Sequence, residues 1–158
     1  MDVLPTECAC EKCSGMCRAP CCPTPKEVNA LIEAGYGDRL MYDDWPDSSE
    51  VEMIKMAMKG AEGCRAPWAT RTEKGCTFWK DGLCELHNTG LKPLHAKLVH
   101  HDNTEEQMDA IVEVIQKEWQ TEEAEICITN WKEKFYHHTQ LEEPDMFEKL
   151  LMFLDTCG

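Results

Sequence analysis

The sequence predicts a mainly α fold with one small β-hairpin, a small α-rich domain organised around a cysteine metal cluster. Three observations lead there. Six of the 11 cysteines crowd into the run from Cys8 through Cys10, Cys13 and Cys17 to Cys21-Cys22. Several later segments carry apolar residues at helical spacing behind N-cap signals. Between them, the stretch from Cys76 to His87 reads as a hairpin turning at Asp81-Gly82. A length of 158 residues suits one domain with a modest core. Residues 1–101 form a cysteine-cluster metal-binding region, and residues 102–158 an acidic helical region packed on it.

The elements follow in order. Thr24-Pro25-Lys26-Glu27 is a helix start, with Thr24 as cap, Pro25 at the first helical position and Glu27 closing a capping box. Val28, Leu31 and Ile32 make its apolar stripe, and Gly35 with Gly37 stops it. Residues 43–48 read as a loop. Ser49 with Glu52 repeats the capping-box pattern and predicts a second helix, carrying Val51, Ile54 and Met58 on one flank, that ends at Gly60. Residues 61–75 read as irregular, and the hairpin follows. Thr104 with Gln107 opens a helix to about Trp119, a further helix covers 122–136, and Pro144 starts a last one through Met146, Leu150 and Leu154.

Net charge is −14 and unevenly placed. Residues 1–60 carry 6 basic and 11 acidic side chains, residues 61–101 carry 6 and 4, and residues 102–158 carry 4 and 15. The acidic final third argues against direct nucleic-acid binding, because phosphates would be repelled. Its helices are read as a solvated surface, with a protein partner as the other use. The start of the sequence shows no basic segment followed by an apolar one, and no apolar run reaches the length of a membrane span. These features, with an odd cysteine count, favour a reducing cytoplasmic setting and metal-bound thiolates over a disulfide scaffold.

Cys10-x-x-Cys13 can grip one ion through a tight knuckle whose backbone N–H groups stabilise charge on sulfur. Cys17, Cys21 and Cys22 strengthen that signal. A two-residue turn at Asp81-Gly82 would pair Lys80 with Leu83, set Cys76 opposite His87, and turn Cys84 to the other face. A three-residue turn, Lys80-Asp81-Gly82, would pair Trp79 with Leu83 and put Cys76 and Cys84 on one face, able to share a metal. The second is the expectation, and it leaves His87 optional. Cys64 is read as a further ligand, with a buried small hydrophobe as the other reading. Cys127, between Ile126 and Ile128, is read as core and Cys157 as incidental. Cys8 is the weakest of the six clustered thiols, and the pairs His100-His101 and His137-His138 are read as exposed histidines.

Cys-x-x-Cys, a double cysteine, a helix of the form Thr-Pro-x-Glu, and Cys-x-Phe-x-x-x-Gly-x-Cys followed by Lys-Pro together resemble the YkgJ-type cysteine-cluster family, whose domain is described as zinc- or iron-chelating. The resemblance covers roughly residues 8–98. It implies metal binding by Cys10, Cys13, Cys17, Cys21, Cys22, Cys76 and Cys84. Two departures stand out. The spacing between Cys13, Cys17 and Cys21 is looser, and the family's final cysteine would fall at Ala96. His95, one place earlier, is either its replacement or an ordinary surface histidine.

No phosphate loop, nucleophile elbow or paired catalytic carboxylates are visible, so the sequence leans away from an enzyme. The expected function is metal binding, zinc foremost, in a structural or interaction role. The alternative is an iron–sulfur protein (iron or a 4Fe-4S cluster) acting in redox or as accessory to a modifying enzyme.

Overall fold

The structure, a computed structural model, describes residues 8, 10–45, 48–65, 74–98 and 100–137. Helices α1 (Glu11–Met16) and α2 (Pro25–Glu33) precede two separate antiparallel pairs, and α3 (Leu94–Lys97), α4 (Glu105–Glu118) and α5 (Glu122–Phe135) follow them. These are β1 (Leu40–Trp45) with β2 (Ser48–Met56), and β3 (Trp79–Lys80) with β4 (Leu83–Cys84). The mainly α class with a small β component therefore holds. The expected helix from Pro144, Cys157 and His138 all fall outside the described residues. No described helix is long and apolar enough to cross a membrane.

The capped helices form where their signals place them. Thr24 accepts from the Glu27 N–H at 3.2 Å, and Glu27 accepts from the Thr24 N–H at 2.8 Å, closing the capping box of α2. The same reciprocal pair joins Thr104 and Gln107 at the start of α4. Each box satisfies two backbone donors that the helix itself leaves unpaired.

The expected helix from Ser49 is corrected to a strand. β2 runs antiparallel to β1, with Leu40 opposite Met56 and Tyr42 opposite Ile54, so most of the expected 43–48 loop is also strand. The physical reason is burial on both faces. Met53, Ile54, Lys55 and Met56 are all buried, which erases the alternation that marks a half-exposed strand. Lys55 is held there by an ion pair with Asp43. Strand pairing with β1 overrides the local capping signal at Ser49 and Glu52.

The turn of the second hairpin is corrected as well. Lys80 pairs with Leu83 and Trp79 with Cys84, so only Asp81 and Gly82 lie between the strands. Both have positive φ, 51° and 83°, as a type I′ turn requires. Aspartate tolerates the left-handed region, so the turn closes without recruiting Lys80.

One buried cluster spans the two halves of the chain, from Val28, Leu31, Met56 and Phe78 to Ile115, Trp119 and Trp131. Trp119 Nε1 donates to the Pro23 carbonyl and Trp131 Nε1 to the Gly37 carbonyl, each at 2.8 Å, which fixes α4 and α5 against both ends of α2. The acidic helices thus turn their apolar stripes onto the cysteine-rich part and their carboxylates outward.

Candidate metal centres

β2 and the chain just beyond it form the spine on which distant cysteines meet. The Met56 N–H donates to the Cys21 carbonyl at 3.3 Å, laying the end of the cysteine run along the strand. Residues 57–59 then pair with 75–77: the Thr77 N–H donates to the Ala57 carbonyl, the Lys59 N–H to the Gly75 carbonyl, and Met58 bridges Cys76. Gly75, at φ +81°, permits a close approach; a Cβ there would stand 3.3 Å from the Trp79 ring and 3.8 Å from the Arg18 backbone.

The result is a small cavity of about 20 Å³ lined by Cys17, Cys21, Cys76 and Cys84 together with Met56, Phe78 and Trp79. Cys76 and Cys84 both reach it even though the two-residue turn seemed to separate them. The β3–β4 ladder is only two pairs long, and Cys76 lies outside it, at the start of a turn in which the Trp79 N–H returns to its carbonyl at 3.0 Å. Period-two alternation therefore does not reach back to Cys76.

Burial pushes all four thiols up: Cys76 to about 11, Cys21 well above its ordinary value, and Cys17 and Cys84 upward. Proximity adds to it, since Cys21 feels Cys76 and Cys84, and Cys17 feels Cys84. Opposing groups favour negative charge. The Phe78 N–H lowers Cys76 and the Leu86 N–H lowers Cys84, each two residues after its cysteine, and Lys92 and Arg39 act in the same direction. Arg39 also ties the hairpin together, donating to the Thr77 carbonyl at 2.7 Å and to both Glu85 carboxylate oxygens at 2.8 and 3.1 Å. Trp79 Nε1 is buried without a hydrogen-bond partner among the described residues, a donor available to a thiolate beside it. These groups suit an anionic multi-thiolate centre.

A second group lies at the other end of the cysteine run. The donor atoms of Cys8, Cys13, His100 and His101 all fall within 4.8 Å of one another, close enough to hold a metal ion. The sulfurs around the cavity are not drawn together to that degree. Cys10, the N-cap of α1, accepts the Cys13 N–H on its sulfur at 3.5 Å. That bond, with the neighbouring Cys8 and Cys13 thiols, lowers Cys10 to about 7, whereas burial and the adjacent thiols raise Cys13 to about 11. His101 was not legible as a partner of this run, because 88 residues separate it from Cys13 and no local spacing connects them.

The remaining expected ligands stand apart from both groups. Cys22 is buried; its thiol is pushed up to about 11 by burial, and its nearest charges are Lys55 and Asp43. His95 is no surface histidine: its Nδ1 accepts the Cys22 N–H at 2.8 Å, and burial lowers its pKa, keeping the ring neutral. Cys64 is buried beside β1 and donates its S–H to the Glu62 carbonyl at 3.6 Å. His87 places Nδ1 3.1 Å from Lys92 Nζ rather than in the cavity. Cys127 is buried in the core and donates to the Pro25 carbonyl at 3.7 Å, as its apolar neighbours suggest.

Comparison with protein-family models, with curated proteins and with solved structures yields no match.

Proposed function

We propose that the protein binds zinc as a structural ion, held by Cys17 and Cys21 of the N-terminal run and Cys76 and Cys84 of the second hairpin. The observation that carries this reading is the convergence of these four thiols, from segments far apart in the chain, on one partly open cavity. Four thiolates complete the tetrahedral shell of a closed zinc site, and binding releases their protons. Such a centre carries two negative charges, which Arg39 and Lys92 partly offset.

A closed all-thiolate set is the donor chemistry of a structural zinc ion. Four cysteines would also satisfy an iron–sulfur cluster, the alternative that elemental analysis separates from zinc. The resemblance to the cysteine-cluster family supports the same four residues as ligands. The role that follows is structural: the ion clamps the hairpin onto the cysteine run and so completes a surface for partners.

Elemental analysis with an absorbance spectrum on anaerobically purified protein tests the reading. Zinc in a colourless sample is expected, and iron with visible sulfur-to-iron absorbance would overturn it. Cys76→Ser and Cys84→Ser should each remove one zinc per chain, while Cys127→Ser, in the core, should remove none.

A further inference from the structure

We propose a second zinc site, independent of the cavity, with Cys8, Cys10, Cys13 and His101 as its ligands. Three sulfurs surround one nitrogen: His101 Nδ1 lies 3.5 Å from Cys8 Sγ, 3.7 Å from Cys10 Sγ and 3.4 Å from Cys13 Sγ. A neutral imidazole nitrogen has a single in-plane lone pair and accepts one good hydrogen bond, so three thiols converging on it exceed what hydrogen bonding explains. A shared ion does explain them. With Zn–S near 2.3 Å and Zn–N near 2.05 Å, a tetrahedral centre separates sulfur from nitrogen by about 3.6 Å. The three distances bracket that edge.

The surroundings fit the same assignment. The second ring nitrogen of His101, Nε2, stands 3.4 Å from the Asp102 carboxylate, the partner that orients a metal-bound imidazole. His100 lies close enough to compete, but its Nδ1 already accepts the Asp102 N–H at 3.2 Å. Its ring stacks on His101 at 4.2 Å between centroids, a position from which it supports the ligand. Cys10 is exposed and Cys13 buried, so the ion sits at the surface with one side against the protein. A Cys₃His site here staples the start of the cysteine run to the segment leading into α4, a link made by none of the cavity's ligands.

Zinc stoichiometry by native mass spectrometry, with cobalt substitution, tests the site on the full chain. Wild-type protein is expected to hold two zinc ions. Cys8→Ser and His101→Ala should each leave one, with far-UV circular dichroism retained because His101 is surface-exposed. Cobalt-loaded Cys76→Ser, which isolates this site, should lose its sulfur-to-cobalt absorbance on adding Cys10→Ser and keep it on adding His100→Ala. Retention of the second ion in His101→Ala or Cys10→Ser, or its loss in His100→Ala, would overturn this ligand set. A wild-type chain with one ion that His101→Ala removes and Cys76→Ser keeps would refute the cavity reading and leave this site standing.

Discussion

At the scale of single residues, chemistry and position diverge among side chains of the same type. Cys127 and Cys22 are as buried as Cys21 and Cys76, yet only the latter two face other thiols across the cavity. His95 shows how a candidate ligand becomes a structural acceptor, because its Nδ1 lone pair is taken by the Cys22 N–H. Burial lowers its folded pKa below the ordinary 6.5, so the unfolded chain takes up a proton first as pH falls. Stability associated with this histidine is complete above pH 6.5 and is lost as pH falls through the lower folded value. His95→Gln, which can still accept the Cys22 N–H, should flatten that acid limb in chemical denaturation curves recorded between pH 7 and 5. An unchanged pH dependence would show that His95 does not set it. Trp119→Phe removes the donor to the Pro23 carbonyl and leaves a buried acceptor unpaired. A loss of about 1–3 kcal/mol of unfolding free energy is expected in urea titrations.

At the scale of elements, the second hairpin depends on two consecutive left-handed residues. Asp81 tolerates φ 51°, but a β-branched side chain does not. Asp81→Ile should cost about 1–2 kcal/mol by the usual left-handed penalty and weaken metal retention at the cavity, since Cys84 follows the turn directly. Asp81→Gly should keep both. Thermal melts with zinc analysis of the two variants would read this, and equal behaviour would mean that turn geometry does not govern the site. The capped helices were readable because capping boxes are short-range devices. The β1–β2 pair was not, since β2 is buried on both faces and shows no alternation, while Ser49 and Glu52 mimic a helix start.

At the scale of the molecule, one apolar cluster joins α2, the hairpins, α4 and α5, while the two candidate metal centres lie where the cysteine run meets later segments. Chelation should therefore destabilise the whole domain and not one appendage. For zinc at a thousandfold above its dissociation constant, the loss is about 4 kcal/mol per site, or roughly 8–16 °C in midpoint at 2–4 °C per kcal/mol. Hydrogen exchange after chelation should rise most in residues 10–22 and 74–87, with Ile115 and Trp131 protected longest; unchanged protection of those two segments would argue against the ions as clamps. The sequence alone determined that thiols are abundant enough to dominate the chemistry, that α2, α4 and α5 are helices, and that a hairpin turns at Asp81-Gly82, though not the length of that turn, because each of these is written in neighbouring residues. Only the tertiary structure decided how the cysteine run is divided. It sends Cys17 and Cys21 to the cavity with Cys76 and Cys84, leaves Cys22 in the core, and turns Cys8, Cys10 and Cys13 toward His101. Ligand sets are made by contacts across scores of residues, and those contacts follow from the pairing of β2 with its neighbours and the packing of α4, neither of which has a local signature.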